Sequence, residues 1–247
     1  MTDTDPALPA VVNADEWRSA RLALLAREKE FTRARDALAA ERRRLPMEEV
    51  GTDYRFTGAA GEVGLRDLFE GRRQLLVYHF MFDPAWDEGC PSCSYLADNI
   101  GHLSHLHARD TTLALVSRAP YEKLAAYRER MGWVVPWYSS AGSDFNYDFQ
   151  VTYDPARGST EYNYREMGGD PGWQGWSGEQ PGTSAFLLDG DRVLHTYSSY
   201  ARGGDLLIGT YNWLDLTVLG RQEGWEEPAG RSDSPEIMGW LRRHDQY

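Results

Sequence analysis

Cys90 and Cys93 are the only cysteines of this 247-residue chain, and they form a CxxC motif. The motif follows an apolar segment, 74–82, and opens a predicted helix. At the N-terminus of a helix, the free N–H groups and the positive end of the dipole lower the pKa of a thiol. Cys90 is therefore the candidate nucleophile and Cys93, one turn later, the candidate resolving thiol. This pattern predicts dithiol redox chemistry that needs no cofactor, and the alternative is an inert pair of small core residues.

The same two thiols could instead bind a metal ion. His79 lies in the segment that leads to the motif, and His195 lies in a later predicted strand. Two thiolates with one or two imidazoles form a soft donor set that suits copper or zinc. A copper-binding protein or copper-dependent oxidase, with Cys90, Cys93, His79 and His195 as ligands, is therefore a second hypothesis. The alternative to a metal site is that His79 and His195 are ordinary core histidines held by hydrogen bonds.

Other side chains could complete a site around the motif. Arg118 follows a predicted core strand, at the edge where open α/β sheets place ligands, although an ion pair with Asp144 or Asp148 explains it equally well. Tyr200 and Arg202 could contact the reacting group or its anion. Five aromatic side chains could form the wall of an enclosed substrate pocket, or belong to the core: Trp133, Trp137, Tyr147, Trp173 and Trp176.

The charge balance narrows the range of partners. The chain has 26 Lys and Arg residues against 38 Asp and Glu, a net charge of −12, which repels nucleic acid backbones and anionic membrane surfaces. The first ten residues lack the basic and apolar regions of a secretory signal, and no apolar run has the roughly 20 residues that a membrane-spanning helix needs. We expect a cytoplasmic protein that binds neither nucleic acid nor membranes and acts on a small molecule or a thiol.

The order of predicted elements is that of an α/β protein. Apolar strand-like runs alternate with helical ones, which is typical of βαβ units and a parallel sheet. An Asp-Gly turn at 189–190 then joins two strands in a hairpin. The predicted elements are the strands 74–82, 111–117 and 134–139, a helix from the CxxC motif to about 107, the helix 121–131, the hairpin strands 184–188 and 192–197, and a closing helix 205–219.

Three further segments flank or interrupt this pattern. Residues 14–45 form a predicted helix with an apolar residue at every seventh position, which must lie on its own domain or on a partner, as in a homodimer or a partner-binding module. The aromatic and Gly-rich loop 140–180 is typical of a functional lid. The acidic tail 223–247 is expected to be peripheral, with Trp240 and Leu241 able to dock.

Several motifs resemble those of known proteins. The order of elements, with CxxC at the start of the first core helix, resembles the thioredoxin fold. The segments YHFMF, GCPSCS, SRAP, RMGW, DFNYDF, HTYSSYARG and LDLTVLGR resemble a thioredoxin-like bacterial family of unknown function, the DUF899 type, which is related to peroxiredoxin-like proteins. This resemblance implies an α/β thioredoxin-like domain over 46–222, with an N-terminal helical extension and a long loop insertion. It implies no particular substrate.

One position departs from ordinary thioredoxins, which have a cis-proline facing the CxxC motif at the start of the first hairpin strand. The aligned residue here is Thr183, with Pro181 two positions earlier. The resemblance implies that a residue other than proline at this position removes a steric barrier to metal binding by the dithiol. Which of the two residues faces the motif stays open at this point.

Overall fold

The computed structural model describes residues 8–232 and 234–247. The expectation that the chain has no secretory signal rests on its first ten residues. Of these, residues 1–7 lie outside the described residues. Of the described helices, none is both long enough and apolar enough to cross a membrane.

The described residues form six α-helices and twelve β-strands. The helices are α1 Ala14–Arg42, α2 Pro91–Asp98, α3 Ser104–His107, α4 Tyr121–Met131, α5 Phe145–Asp148 and α6 Gly209–Leu214. The strands are β1 Glu48–Glu49, β2 Arg55–Gly58, β3 Gly61–Gly64, β4 Gln74–His79, β5 Thr111–Ser117, β6 Trp137–Ser139, β7 Thr152–Tyr153, β8 Glu161–Tyr162, β9 Arg165–Glu166, β10 Gly178–Glu179, β11 Gly182–Asp189 and β12 Arg192–Tyr200.

Eight strands form the central sheet, in the order β1-β12-β11-β4-β5-β6-β2-β3. Strands β4, β5 and β6 run parallel, whereas β11 pairs antiparallel with both β4 and β12. A βαβ unit is thus joined at β4 to an antiparallel hairpin, with the CxxC motif following β4. The fold is thioredoxin-like, as the sequence predicts.

Most of the predicted core elements are confirmed, but two helices are shorter than expected. The helix that follows the CxxC motif ends at Asp98, and a separate short helix begins at Ser104. The predicted closing helix 205–219 is also wrong, because the chain there forms a 3₁₀ helix, Ala201–Leu207, followed by the six-residue α6. Glycines 203, 204 and 209 disfavour a continuous α-helix in this segment.

The two faces of the sheet cover different cores. Side chains alternate along a strand, so Tyr78 and His79 of β4 point to opposite sides. Tyr78 belongs to the cluster that contains Cys93 and packs under α2 and α4. The opposite cluster contains Val77, Phe145 and related apolar residues, and the rings of Phe145 and Phe149 lie against His79. We call the first side the dithiol face.

Helix α1 extends away from both cores. It begins with a capping box in which Asn13 accepts hydrogen bonds from the Asp15 and Glu16 N–H groups, and no residue of the helix is buried. The apolar residues at every seventh position are exposed: Trp17, Leu24, Phe31, Leu38 and, just beyond the helix, Leu45. The sequence left two surfaces that could cover this seam, the chain's own domain and a partner. The chain's own domain does not cover it.

The tail 223–247 packs against the dithiol face rather than lying at the periphery. Met238, Trp240 and Leu241 contact the core cluster that contains Cys93. The carboxylate of Glu223 is 4% exposed and accepts hydrogen bonds from the Met238 N–H and the Trp240 indole N–H, both at 2.9 Å. The expectation that Trp240 and Leu241 dock is confirmed, and the expectation of a peripheral tail is wrong.

Candidate functional site: the dithiol and its pocket

The CxxC motif lies where β4 passes into α2 on the dithiol face. Cys90 is the N-cap residue and Pro91 the first residue of α2, a position at which proline loses no hydrogen bond. The Cys90 N–H donates to the Met81 carbonyl at 3.1 Å. Gly89 is required just before it, because a Cβ there would lie 2.6 Å from the Phe80 ring and 2.9 Å from the Tyr127 ring. Close packing thus fixes the direction in which the chain enters the motif.

The two thiols have opposite electrostatic properties. Both are free; Cys90 is half-buried and Cys93 is fully buried. A hydrogen bond from the Cys93 thiol, assisted by Ser92, lowers the pKa of Cys90 to about 6. Burial, followed by the same hydrogen bond, raises the pKa of Cys93 well above its usual value. Near neutral pH this gives a thiolate at Cys90 beside a protonated thiol at Cys93; the roles of nucleophile and resolving thiol stay predictions.

A hydrogen-bonded network holds the backbone on both sides of Cys90. The Ser94 hydroxyl donates to the Cys90 carbonyl at 2.9 Å. The Tyr127 hydroxyl lies 3.0 Å from the Ser94 hydroxyl. Arg243 of the tail donates from Nε to the Tyr127 hydroxyl at 2.8 Å and from Nη2 to the Gly89 carbonyl at 2.7 Å. The tail is therefore fastened to the peptide that precedes the candidate nucleophile.

A pocket of about 230 Å³ opens beside the dithiol. Ser92 lines it, and the Ser92 hydroxyl lies 3.1 Å from the Cys90 sulfur. Tyr78, Thr183, Trp225 and further residues of α2, β11 and the tail complete the lining. The pocket therefore extends from Ser92 of the motif to the tail, and neither Cys90 nor Cys93 lines it.

The sheet register shows how the start of β11 faces the motif. Thr183 pairs with Tyr78, and Gly182 pairs with His79. Cross-strand partners point to the same face, so Thr183 lies with Tyr78 on the dithiol face. Pro181, Gly182 and Thr183 all line the pocket.

Two other predicted site residues, Tyr200 and Arg202, line this pocket. Tyr200 is buried and donates its hydroxyl to the Phe149 carbonyl at 3.0 Å. The Arg202 side chain is mostly exposed and donates to Asp205 at 3.2 Å. Both side chains therefore already have partners within the chain.

Arg118 does not line the pocket. Its guanidinium donates to the Glu179 carboxylate at 2.7 Å, rather than to either of the two aspartates considered from the sequence. Thr152 and Asn146 also donate to this carboxylate, at 3.0 and 3.2 Å. Burial raises the pKa of Glu179, and Arg118 supplies the opposing positive charge. This pair, in which Glu179 is buried and Arg118 partly exposed, fastens the loop 140–180 to the end of β5.

The two histidines of the metal hypothesis lie on the face of the sheet opposite the dithiol. His79 contacts the Ser184 hydroxyl at 2.8 Å, this hydroxyl contacts Ser198 at 2.8 Å, and Ser198 contacts His195 at 2.8 Å. Burial lowers the pKa of His79 to about 3, so this ring is neutral near neutral pH. The four proposed ligands, Cys90, Cys93, His79 and His195, do not come together in one site.

No other donor set takes their place. Across residues 8–232 and 234–247, no group of three or more His, Cys, Asp or Glu side chains is arranged to hold a metal ion. The residues present therefore do not fit the copper or zinc site that the sequence left open.

The five aromatic residues predicted to form the pocket wall lie elsewhere. Trp133 and Trp137 pack on the dithiol-face core, Tyr147 lies under the guanidinium groups of two arginines, and Trp173 and Trp176 pack around Tyr153. None of the five lines the pocket beside the dithiol. The prediction failed because rich aromatic content identifies a packed segment but does not show which surface it covers.

Comparison with protein families identifies the chain. The family described as "Bacterial protein of unknown function (DUF899)" matches residues 6–247. The chain belongs to this family. The match spans the dithiol, the hairpin and the tail, and none of the curated proteins is significantly similar to the chain.

Solved structures similar to this chain include two of bacterial thioredoxin-fold proteins. Peroxidoxin BcpB from Mycobacterium tuberculosis is 16% identical, with a TM-score of 0.45, and the match covers 67% of this chain and 95% of that protein. A mutant of peroxiredoxin Q from Xanthomonas campestris is 15% identical, with a TM-score of 0.44, and the match covers 68% of this chain and 98% of that protein.

The sequence reasoning missed Arg243, Tyr127 and Trp225. Ser92 and Ser94 could have been selected from the motif itself, since both lie within one turn of Cys90. Arg243 gave no such signal, because it lies in an acidic, Gly- and Pro-rich tail 154 positions from Gly89.

Proposed function

We propose that this protein is a dithiol oxidoreductase in which Cys90 attacks and Cys93 resolves. The observation that carries the proposal is geometric: Cys90 is the N-cap residue of α2, with its sulfur 3.1 Å from the Ser92 hydroxyl, and Cys93 is fully buried one turn later. The pKa of Cys90, lowered to about 6, and that of Cys93, raised well above its usual value, agree with this arrangement. A thiolate near neutral pH is the reactive form of cysteine. Cys93, one turn further along the helix, can then lose its proton and act as the second nucleophile.

The proposed reaction balances as a two-electron reduction of a disulfide. The Cys90 thiolate attacks one sulfur, the substrate S–S bond breaks, and the first sulfur leaves as a thiolate that takes a proton from solvent. Cys93 then loses its proton and attacks the Cys90 sulfur, which releases the second thiol. The enzyme ends as a Cys90–Cys93 disulfide and must be reduced by a thiol of the cell. A peroxide would follow the same order, with an alcohol leaving first and water second.

Titration of the thiolate tests the assignment of the nucleophile. Thiolate absorbance at 240 nm should rise as the pH increases through about 6 in the native chain. The Cys93→Ala variant should titrate at a clearly higher pH, because it removes the largest cause of the lowered pKa, and Ser92→Ala should give a smaller rise. An unchanged midpoint in Cys93→Ala would contradict this electrostatic assignment.

Trapping tests the order of the two attacks. Cys90→Ser should lose all reduction of disulfides and of hydrogen peroxide. Cys93→Ser should instead accumulate a stable mixed disulfide at Cys90, visible as added mass in the intact protein. If Cys90→Ser retains turnover while Cys93→Ser does not, the assigned roles are reversed.

The exposed seam on α1 supports a second candidate function, association with another copy of this chain. Four apolar side chains at every seventh position of one helix are exposed, and such a repeat is typical of helices that pair. Sedimentation should show a dimer for the native chain and a monomer for Leu24→Glu combined with Phe31→Glu. Dithiol kinetics should be equal in both, and a monomeric native chain would refute the pairing.

A further inference from the structure

The pocket beside the dithiol has an apolar wall built by three separate parts of the chain. Leu96 comes from α2, Ile208 and Tyr211 come from the segment after the hairpin, and Trp225 and Met238 come from the tail. A cavity of about 150 Å³ lined by apolar side chains is large enough to bind benzene. The volume here, about 230 Å³, therefore accommodates a substituted ring.

Charged residues reach the pocket, but the arginines among them already have counter-ions. Arg221 donates to Asp205 at 3.1 Å and to Asp215 at 2.7 Å. Arg202 donates to the same Asp205 carboxylate at 3.2 Å. Two guanidinium groups and two carboxylates thus compensate each other, and no unpaired cation is left to attract an anionic ligand.

Glu223 adds a buried carboxylate to the pocket lining. Its hydrogen-bond partners are the backbone N–H of Met238 and the indole N–H of Trp240, so no positive side chain neutralises it. A carboxylate in this position repels a second negative charge at close range. The pocket therefore favours neutral ligands over anions.

The pocket reaches the CxxC motif through Ser92, and neither cysteine lines its wall. The Ser92 hydroxyl lies 3.1 Å from the Cys90 sulfur, and Tyr78, a second lining residue, belongs to the cluster that contains Cys93. A second apolar pocket, of about 350 Å³, shares Tyr78, Leu96 and Thr183 with the first. The two pockets are therefore neighbours that share part of one wall.

We infer that this pocket binds a neutral, apolar group of a small disulfide and places its S–S bond beside Cys90. The inference rests on the proposed dithiol function and names the class of substrate for it: uncharged disulfides with an aromatic or alkyl substituent. The bound group leaves as its thiol when Cys90 or Cys93 breaks the sulfur bond to it. Anionic disulfides and small hydrophilic disulfides are poor substrates.

The test compares three disulfides that differ in charge and in apolar character, so that the two effects can be told apart. 4,4′-Dithiodipyridine is aromatic and neutral, 5,5′-dithiobis(2-nitrobenzoate) is aromatic and anionic, and bis(2-hydroxyethyl) disulfide is neutral and hydrophilic. The rate of each with the reduced full chain is divided by its rate with N-acetylcysteine at equal thiolate concentration. The normalised rate for the neutral aromatic disulfide should exceed the other two at least tenfold.

Variants connect this preference to the pocket. Trp225→Ala should reduce the preference for the neutral aromatic disulfide about tenfold, because it removes part of the apolar wall. Trp213→Ala is the matched control, since this indole is 73% exposed and does not line the pocket. Ile237→Asp changes a lining residue that is 70% exposed, so it adds a charge at the rim of the pocket without disturbing the core. It should reduce the preference over the neutral hydrophilic disulfide severalfold, whereas the preference over the anionic disulfide should not fall, because the added carboxylate repels that anion.

The outcomes separate the two proposals. Equal normalised rates for the three disulfides, or an unchanged preference in both Trp225→Ala and Ile237→Asp, would overturn the substrate class and leave the dithiol function standing. A native chain whose Cys90 reacts with none of the three disulfides would overturn the dithiol function itself.

Discussion

The loop 140–180 and the tail 223–247 both leave the central sheet and fold back on it, but only the tail lines the pocket beside the dithiol. The loop forms a small core of its own around Val151, Tyr153 and Tyr162. It supports the pocket from behind, since the Tyr162 hydroxyl donates to the Pro181 carbonyl at 3.0 Å. The tail instead supplies Trp225 and Met238 to the pocket itself. Aromatic content is thus a poor guide to which segment encloses a site.

An arginine contact helps to fasten each of the two segments. Arg118 binds the buried Glu179 at the end of the loop, and Arg243 binds the Gly89 carbonyl from the tail. Only the second contact is made to the peptide next to Cys90. The comparison therefore predicts that the loop contact affects stability alone, whereas the tail contact affects both stability and thiol chemistry.

The largest effect is expected from Arg118→Ala, which leaves the Glu179 carboxylate buried without a counter-ion. The free energy of unfolding should fall by about 3 kcal/mol, measured by urea denaturation, with no change in the titration of Cys90. The exposed pair of Arg157 with Asp144 provides the control, because Arg157→Ala should cost less than about 1 kcal/mol.

The loss in Arg118→Ala should also depend on pH. Burial already raises the pKa of Glu179, and removal of the guanidinium raises it further. The folded variant then binds a proton more tightly than the unfolded chain, so its stability should fall as the pH rises through the pKa of the folded state. A deficit relative to the native chain that is no larger at pH 8 than at pH 5 would contradict a buried, ionised Glu179.

A smaller loss of stability, with a change in chemistry, is expected from Arg243→Ala. The substitution removes hydrogen bonds to the Gly89 carbonyl and the Tyr127 hydroxyl and an ion pair with Glu88 at 2.8 Å. Unfolding should become easier by about 2 kcal/mol. The rate of Cys90 with disulfides should fall severalfold, because the preceding peptide loses its anchor.

The neighbouring Arg242→Ala is the matched control for Arg243→Ala, since Arg242 is exposed. Both the stability and the disulfide rate of this control should equal those of the native chain. A normal disulfide rate in Arg243→Ala would show that the tail contributes only to stability, and the contrast with the loop would disappear.

The smallest effect is expected from Trp173→Ala in the loop. Trp173 is half-buried against Tyr153 and Tyr162, so its removal should cost about 1 kcal/mol. Stopped-flow rates with all three disulfides should match those of the native chain, in contrast to Trp225→Ala in the tail. A selective fall with the neutral aromatic disulfide would instead return the loop to the role of a lid.

Local sequence patterns predicted much of the fold and the centre of the site. Three elements have the positions predicted from the sequence: the hairpin around 189–190, the strand 111–117 and the helix 121–131. They could be predicted because turn chemistry and side-chain periodicity act over a few neighbouring positions. The placement of Cys90 at the start of a helix followed from Pro91 and the preceding apolar strand. The strict alternation along β4 could also have placed His79 on the face opposite Tyr78, and hence away from the dithiol.

The remaining features depended on contacts between distant parts of the chain. Glycines interrupted the predicted closing helix, and the tail, which was expected to be peripheral, packs on the dithiol face. The ion pair of Arg118 with Glu179 joins residues 61 positions apart, and the contact of Arg243 with Gly89 joins residues 154 apart. Such contacts follow from how the layers stack, which no local pattern encodes.

The sequence by itself determined the order of elements and the position of two thiols, one turn apart, at the start of a helix, because both are set by short-range backbone and side-chain preferences. The tertiary structure decided how far each thiol is buried, Cys93 fully and Cys90 by half, and this difference contributes to the opposite shifts of their pKa values. It also decided that the tail forms part of the wall of a largely apolar pocket that reaches Ser92 of the motif.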